Sequence, residues 1–234
     1  MENLLYEYMS KRFASHQEVN GLHKNLGPVI TISRQAGCGA SKLAHHLCLK
    51  LNDAALHAGK TAKWHFINHE ILEKSAEKLN LDPGKLDRLI TDKDRGIMDQ
   101  ILEALSSHSH KSDQKILKTM SEVIRQIAEQ GHVIIVGRGG AVVNQHIPHS
   151  LHIRLEAPLM WRCNEVMKKL EYSREYTLEY IQKLDEQREM YVERLMQGKE
   201  EKFVYDVVLN PGRFTEEQMA VVILAMASVK GILA

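Results

Sequence analysis

Pro28-Val29-Ile30-Thr31-Ile32-Ser33 is a β-rich run that feeds without a break into Arg34-Gln35-Ala36-Gly37-Cys38-Gly39-Ala40-Ser41. Leu43, Leu47 and Leu51 then recur at every fourth position, with Ala44 and Cys48 beside them, which predicts a helix. A strand, a glycine loop and a helix in direct succession form the opening of an α/β unit that binds phosphate. Gly37 and Gly39 allow the backbone a tight curve whose N–H groups point inward at an anion. The helix behind the loop adds its N-terminal partial positive charge. Ser41 stands where a hydroxyl reaches a phosphate-bound magnesium.

The match to GxxxxGK[ST] is partial. With Gly39 as the second glycine and Ser41 as the hydroxyl residue, Arg34 replaces the first glycine and Ala40 replaces the lysine. Lys42 lies two positions further on, roughly 200° around a helix, so it does not restore the missing charge. Arg34 is the better source of that charge. Glycines between a strand and a helix also make plain tight turns, so the loop alone does not decide the matter.

Four further strand signals follow: Trp64-His65-Phe66-Ile67, Val133-Ile134-Ile135-Val136, Leu151-His152-Ile153-Arg154-Leu155 and Tyr205-Asp206-Val207-Val208-Leu209. Val133–Val136 is apolar on both faces, as a central parallel strand covered on both sides should be. Helical patterning runs through much of 70–130, from Pro158 to about Met196 with a break near Glu171–Tyr176, and from the Asn210-Pro211-Gly212 turn to about Val229. Strands alternating with helices predict an α/β fold with a parallel five-stranded sheet flanked by helices. Before it, Leu4, Leu5, Tyr8, Met9 and Phe13 fall at helical spacing. Residues 1–26 therefore read as an N-terminal helical extension suited to packing or to homodimer contact, and 27–234 as one domain.

A chain of 234 residues suffices for one sizeable α/β domain. Lys and Arg number 31 against 30 Asp and Glu, so nothing suggests a protein that coats nucleic acid or an anionic membrane. Anionic ligands must be met by a local arginine cluster. Cys38, Cys48 and Cys163 show no metal-ligand spacing and read as free thiols. Without a secretory h-region or a long apolar run, the chain is expected to be cytoplasmic. The histidines are scattered, and none has a carboxylate or cysteine at ligand spacing.

Ligands of open α/β sheets bind beyond the carboxyl ends of the strands. Arg34, Arg138 and Arg162 fall at those ends, and the 177–196 helix adds Asp185, Arg188 and Arg194. Arg138, between Gly137 and Gly139, could grip a phosphate with two parallel hydrogen bonds, or simply pair with a nearby carboxylate. Asp185 and Arg188 share a helix face, where a solvated surface pair is the simpler reading. Cys38 sits at a helix N-terminus, which lowers a thiol pKa, although a small loop-filling residue is the default.

Taken in order, Ile32-Ser33-Arg34…Gly37-Cys38-Gly39, Phe66-Ile67-Asn68-His69-Glu70, Ile135-Val136-Gly137-Arg138-Gly139, Ala157-Pro158 with Trp161-Arg162, and Asp185…Arg188 resemble the cytidylate-kinase-like family of P-loop nucleoside-monophosphate kinases. The resemblance runs from about Pro28 to the C-terminus. It implies a nucleotide kinase: ATP- and Mg²⁺-dependent phosphoryl transfer to a nucleoside monophosphate (CMP- or dCMP-like) or a related small phosphate acceptor. It also implies a helical acceptor-binding region over 68–130 and a lid over 158–200. Arg34 and Gly37, Cys38, Gly39, Ala40, Ser41 and Lys42 would then cradle the donor phosphates, with Ser41 toward the metal. Arg138 and Gly139, with Asn68 and Glu70, would hold the acceptor. Arg162 would stand near the donor base, Arg188 and Arg194 would close over the transferring group, and Asp185 would orient those arginines or a magnesium-bound water. Val136 and Gly139 stand where cytidylate kinases carry aspartates, Asn68 where the family usually has Asp, and Ala40 where they carry lysine. These departures motivate an alternative, a catalytically inactive nucleotide-binding sensor or regulatory protein on the same fold.

Overall fold

The computed structural model describes residues 27–68, 110–197 and 205–233; the expectations for 1–26 and 69–109, Glu70 among them, lie outside the described residues. Five strands, β1 (Val29–Arg34), β2 (His65–Ile67), β3 (Val133–Val136), β4 (Ser150–Leu155) and β5 (Val207–Leu209), pair in the order β2-β3-β1-β4-β5. Every pairing is parallel. Around the sheet lie α1 (Ala40–His57), α2 (His110–Glu129), the single turn α3 (Gly140–Val143), α4 (Leu159–Met167), α5 (Arg174–Met196) and α6 (Glu216–Val229). The five-stranded parallel sheet expected from the sequence is the one observed. Among the described residues, no helix is long and apolar enough to cross a membrane.

The side-chain alternation of the strands decides which helix covers which face. Ile30, Ile32, Ile134, Val136, Leu151, Ile153 and Leu155 pack with Leu43, Leu47 and Leu51 of α1 and with Met219, Ala220 and Ile223 of α6. Val29, Val133 and Ile135 point the other way and meet Val123, Ile124 and Ile127 of α2. With helices on both faces β3 can be apolar throughout, and all four of its residues are buried. Each fully buried Val, Ile or Leu contributes about 1.5–3 kcal/mol.

One polar line crosses this core. Thr31 Oγ1 lies 2.8 Å from His152 Nδ1, and His152 Nε2 lies 3.0 Å from Ser150 Oγ. The Ser150 hydroxyl donates to the Ile147 carbonyl at 2.6 Å, so it must accept from His152 Nε2–H, leaving Nδ1 to accept from Thr31. The ring is thus neutral, and burial pulls its pKa down to about 4. The unfolded chain, with an ordinary histidine near pH 6.5, binds this proton first. Stability from this group is therefore complete above about pH 6.5 and falls between there and about pH 4, by on the order of 3 kcal/mol. Urea unfolding at pH 7 and pH 5 should show the decline, and His152→Gln should flatten it.

Candidate functional site

The carboxyl ends of β1, β3 and β4 come together in one cleft, because β1 lies between the other two. From β1 the chain turns at Gln35, whose N–H donates to the Leu155 carbonyl at 3.0 Å, and winds through Gly37 (φ 85°) and Gly39 (φ 70°) into α1. A side chain at Gly39 would meet nothing within 4 Å, so the loop is open to the outside at this point. The cavity against it measures about 330 Å³ and is walled by residues 34–42, with Lys169, Tyr180 and Arg188 opposite.

From β3 the chain makes a second glycine turn, and Gly137, Arg138 and Gly139 follow one another at φ 74°, 54° and 64°. Left-handed backbone is strained for arginine, and such strain is held where the surroundings over-determine it, often at ligand sites. The turn projects Arg138 into a second cavity of about 80 Å³, lined also by Arg34, Arg154, Arg188, Tyr191 and Tyr205.

α5 brings the remaining charges. Its start is capped by Ser173, whose side chain accepts from the Tyr176 N–H at 3.2 Å. Thr177, Ile181 and Leu184 bury one stripe, and that stripe continues as Asp185, Arg188 and Tyr191 where the helix crosses the strand ends. The Asp185–Arg188 pair therefore faces inward, not into solvent. Arg188 Nη1 donates to the Arg34 carbonyl at 3.4 Å and lies 3.7 Å from Asp185 Oδ1. Arg34 and Arg188 line both cavities. Burial, then the neighbouring charges of Arg188 and Arg138, pull the Arg34 pKa down to about 9, while Asp185 opposes this. Burial lowers Arg138 and Arg188 as well. Crowded, partly desolvated guanidiniums at the mouth of a glycine loop suit a multiply charged anion.

Several residues take places the sequence did not foretell. Arg162, expected near a donor base, is 6% exposed. Its guanidinium donates to Ala157 O at 2.9 Å, to Ala36 O at 3.0 Å and to Asp185 Oδ2 at 2.6 Å. Arg194 does not line either cavity. Lys42 borders the loop cavity, but its ammonium is 2.6 Å from Glu216 and turned toward solvent. Asn68 closes the described segment after β2 and lines neither cavity. A side chain at 139, where cytidylate kinases carry an aspartate, would have to displace the tip of Leu195, whose Cδ1 would lie 2.0 Å from its Cβ, and sit in backbone at φ 64°. Arg154 and Tyr205 were missed. Arg154 is in register with Ser33 on the cavity side of the sheet, donates to Glu156 at 2.6 Å and stands 5.5 Å from the Tyr205 ring. The rule that ligands gather at strand ends would have found it.

Cys38 takes the default role, a small residue filling the loop, and not that of a low-pKa thiol. It is 3% exposed, and burial pushes its thiol up to about 11, outweighing the opposing charge of Arg162. Iodoacetamide at pH 8 should leave Cys38 unmodified in the native protein while labelling it in urea, as peptide mass mapping would show.

The loop cavity and the open face of Gly39 fit the phosphate chain of a nucleotide. Among the described residues, no cluster of three or more His, Cys, Asp or Glu could hold a metal ion. The exposed Ser41 hydroxyl suits magnesium, which keeps most of its waters and takes its other ligands from phosphates.

The sequence model of the cytidylate kinase-like family matches residues 29–213. No curated protein matches the chain. Among solved structures, an uncharacterized protein from Eubacterium ventriosum has a TM-score of 0.58 at 18% identity, over 86% of this chain and 98% of that one. A shikimate kinase from Bacteroides thetaiotaomicron has a TM-score of 0.49 at 12% identity, over 86% of this chain and 98% of its own. One from Acinetobacter baumannii, in complex with shikimate, has 0.45 at 13%, over 86% and 92%.

Proposed function

The chain belongs to the cytidylate kinase-like family, and on that premise we propose that it transfers a phosphoryl group from Mg²⁺·ATP to a nucleoside monophosphate or a related small phosphate acceptor. The observation that carries this reading is the wall shared by the two cavities. Arg34 and Arg188 border both the loop cavity and the cavity of Arg138. A donor phosphate held by residues 36–41 and an acceptor phosphate held by Arg138 would meet across those two guanidiniums.

Phosphoryl transfer asks little covalent chemistry of the protein and much positioning and charge stabilisation. In this reading the loop N–H groups and the α1 N-terminus hold the donor phosphates. Arg138 orients the acceptor. Arg34 and Arg188 neutralise the charge that builds on the moving group. Ser41 would hold magnesium, which when bound screens the donor phosphates. With Ala40 at the usual lysine position, Arg34 is the cation nearest the start of the loop. The acceptor role of residues 68–130 and the lid role of 158–200 belong to the same proposal.

The test is ADP formation from ATP and magnesium against a panel of nucleoside monophosphates that includes CMP and dCMP. Acceptor-dependent ADP, lost in Arg138→Ala, is the expected result. Nucleotide binding with no turnover on any acceptor would favour the inactive sensor, as would turnover unchanged in Arg138→Ala.

A further inference from the structure

One residue of the loop is gripped through both of its flanking peptide groups. The Ala36 N–H donates to Asp185 Oδ1 at 2.6 Å, and the Ala36 carbonyl accepts from Arg162 Nη1 at 3.0 Å. Arg162 Nη1 also donates to Asp185 Oδ2 at 2.6 Å, which closes the ring. A fourth bond, from Arg162 Nε to the Ala157 carbonyl at 2.9 Å, ties the guanidinium to the start of α4. The two side chains are 7% and 16% exposed. Ala36, Cys163, Val166, Ile181 and Leu184 enclose the junction in a small apolar cluster of its own. At the next residue, a Cβ on Gly37 would lie 2.8 Å from the Arg162 carbonyl, so loop and α4 are in direct backbone contact.

A buried ion pair of this kind is weak evidence for stability, since the desolvation of both charges offsets much of their attraction. Its geometry points to a different role. Both carboxylate oxygens of Asp185 accept hydrogen bonds from the protein, and Arg162 Nη1 and Nε are bonded to α4, α5 and the loop. Their common target is the Ala36 backbone, one residue before the glycine turn that borders the loop cavity. We propose that Asp185 and Arg162 are positioning residues that lock the phosphate loop into its anion-receiving shape, Asp185 from α5 and Arg162 from α4. Asp185 thereby also fixes Arg188, one helical turn on, against the Arg34 carbonyl. The loop and the arginine that faces it are held in one register by the same carboxylate.

The identity of the ligand rests on the proposed function, and the experiment separates the two. ADP affinity is measured by titration calorimetry on the full chain, and amide hydrogen exchange by NMR, for wild type, Asp185→Ala and Asp185→Asn. Loss of the charge-assisted bond in Asp185→Ala should weaken ADP binding about 10- to 100-fold. Asp185→Asn, which still accepts from the Ala36 N–H, should recover part of it. Exchange at Ala36 should accelerate in Asp185→Ala while the Val133–Val136 amides keep their rates, a pattern that simple loss of global stability does not give. Should Asp185→Ala fail to fold, the double variant Asp185→Leu with Arg162→Met removes both charges and meets the same two readouts. Ala36 exchange and ADP affinity both within about twofold of wild type would overturn the proposal. So would equal acceleration of loop and strand amides. If wild type binds no ADP but Ala36 responds as expected, the clasp stands and the nucleotide reading falls.

Discussion

Replacing Arg188 by alanine should lower acceptor-dependent ADP formation by about 10²- to 10³-fold, the loss typical of one preorganised group that stabilises transition-state charge. Arg188 lines both cavities, reaches the Arg34 carbonyl at 3.4 Å and keeps a side chain that is 27% exposed. The fold should survive the change. Asp185 retains Arg162 at 2.6 Å and the Ala36 N–H at 2.6 Å, so no buried carboxylate is left without a counter-charge. The loss should appear in kcat with little change in thermal midpoint. Arg188→Lys should recover only part of it, because an ammonium on a flexible stem cannot present the planar guanidinium fork to two oxygens. Equal rates for Arg188→Ala and wild type would remove this residue from the transfer step.

The second large effect is expected at a residue with no side chain. Gly137 has φ 74°, and a Cβ there would lie 1.8 Å from Arg34 Nη1 and 2.7 Å from Arg34 Cζ. Alanine in left-handed backbone costs about 1–2 kcal/mol, so the stability penalty of Gly137→Ala should be modest. Function should suffer more, since the Arg34 guanidinium must leave the wall that both cavities share. A fall in turnover of about a hundredfold is expected, comparable to removing a charge-stabilising donor. Gly59→Ala is the natural control. It carries comparable backbone strain at φ 68°, meets nothing within 4 Å and lies outside both cavities, so it should show the stability loss without displacing Arg34. Urea unfolding and turnover measured on the two variants separate strain from displacement.

The sheet was legible because its signal is local. Val133–Val136 is apolar at every position, and the strand, glycine loop and helix from Val29 to His57 follow one another with no insertion. The cation cluster was legible only as a list of arginines. Arg34 and Arg138 follow from their places beside glycines at strand ends, but Asp185 and Arg188 have the same i, i+3 spacing as any surface pair. What turns them inward is the stripe begun by Thr177, Ile181 and Leu184, and the packing of α5 on α4 and α3, which no local pattern contains. Arg162 shows the same limit. Its neighbours in sequence give no hint that Ala36 and Asp185 will converge on it from 126 and 23 residues away. Cys38 offered a low-pKa thiol beside its default reading as a loop filler, and burial decided for the filler. Arg154 went unmarked because a strand residue in register with Ser33 gains meaning only once the order β3-β1-β4 places both at the cleft.

The most direct test follows the phosphoryl group itself. Wild-type protein is mixed with ATP labelled at the γ-phosphate, magnesium and each acceptor in turn, under single-turnover conditions, and the products are separated. Label recovered in a phosphorylated acceptor, and absent from it when Arg138 is replaced by alanine, is the expected result. Label that stays in ATP, or appears only as inorganic phosphate, with every acceptor would contradict phosphoryl transfer at this site.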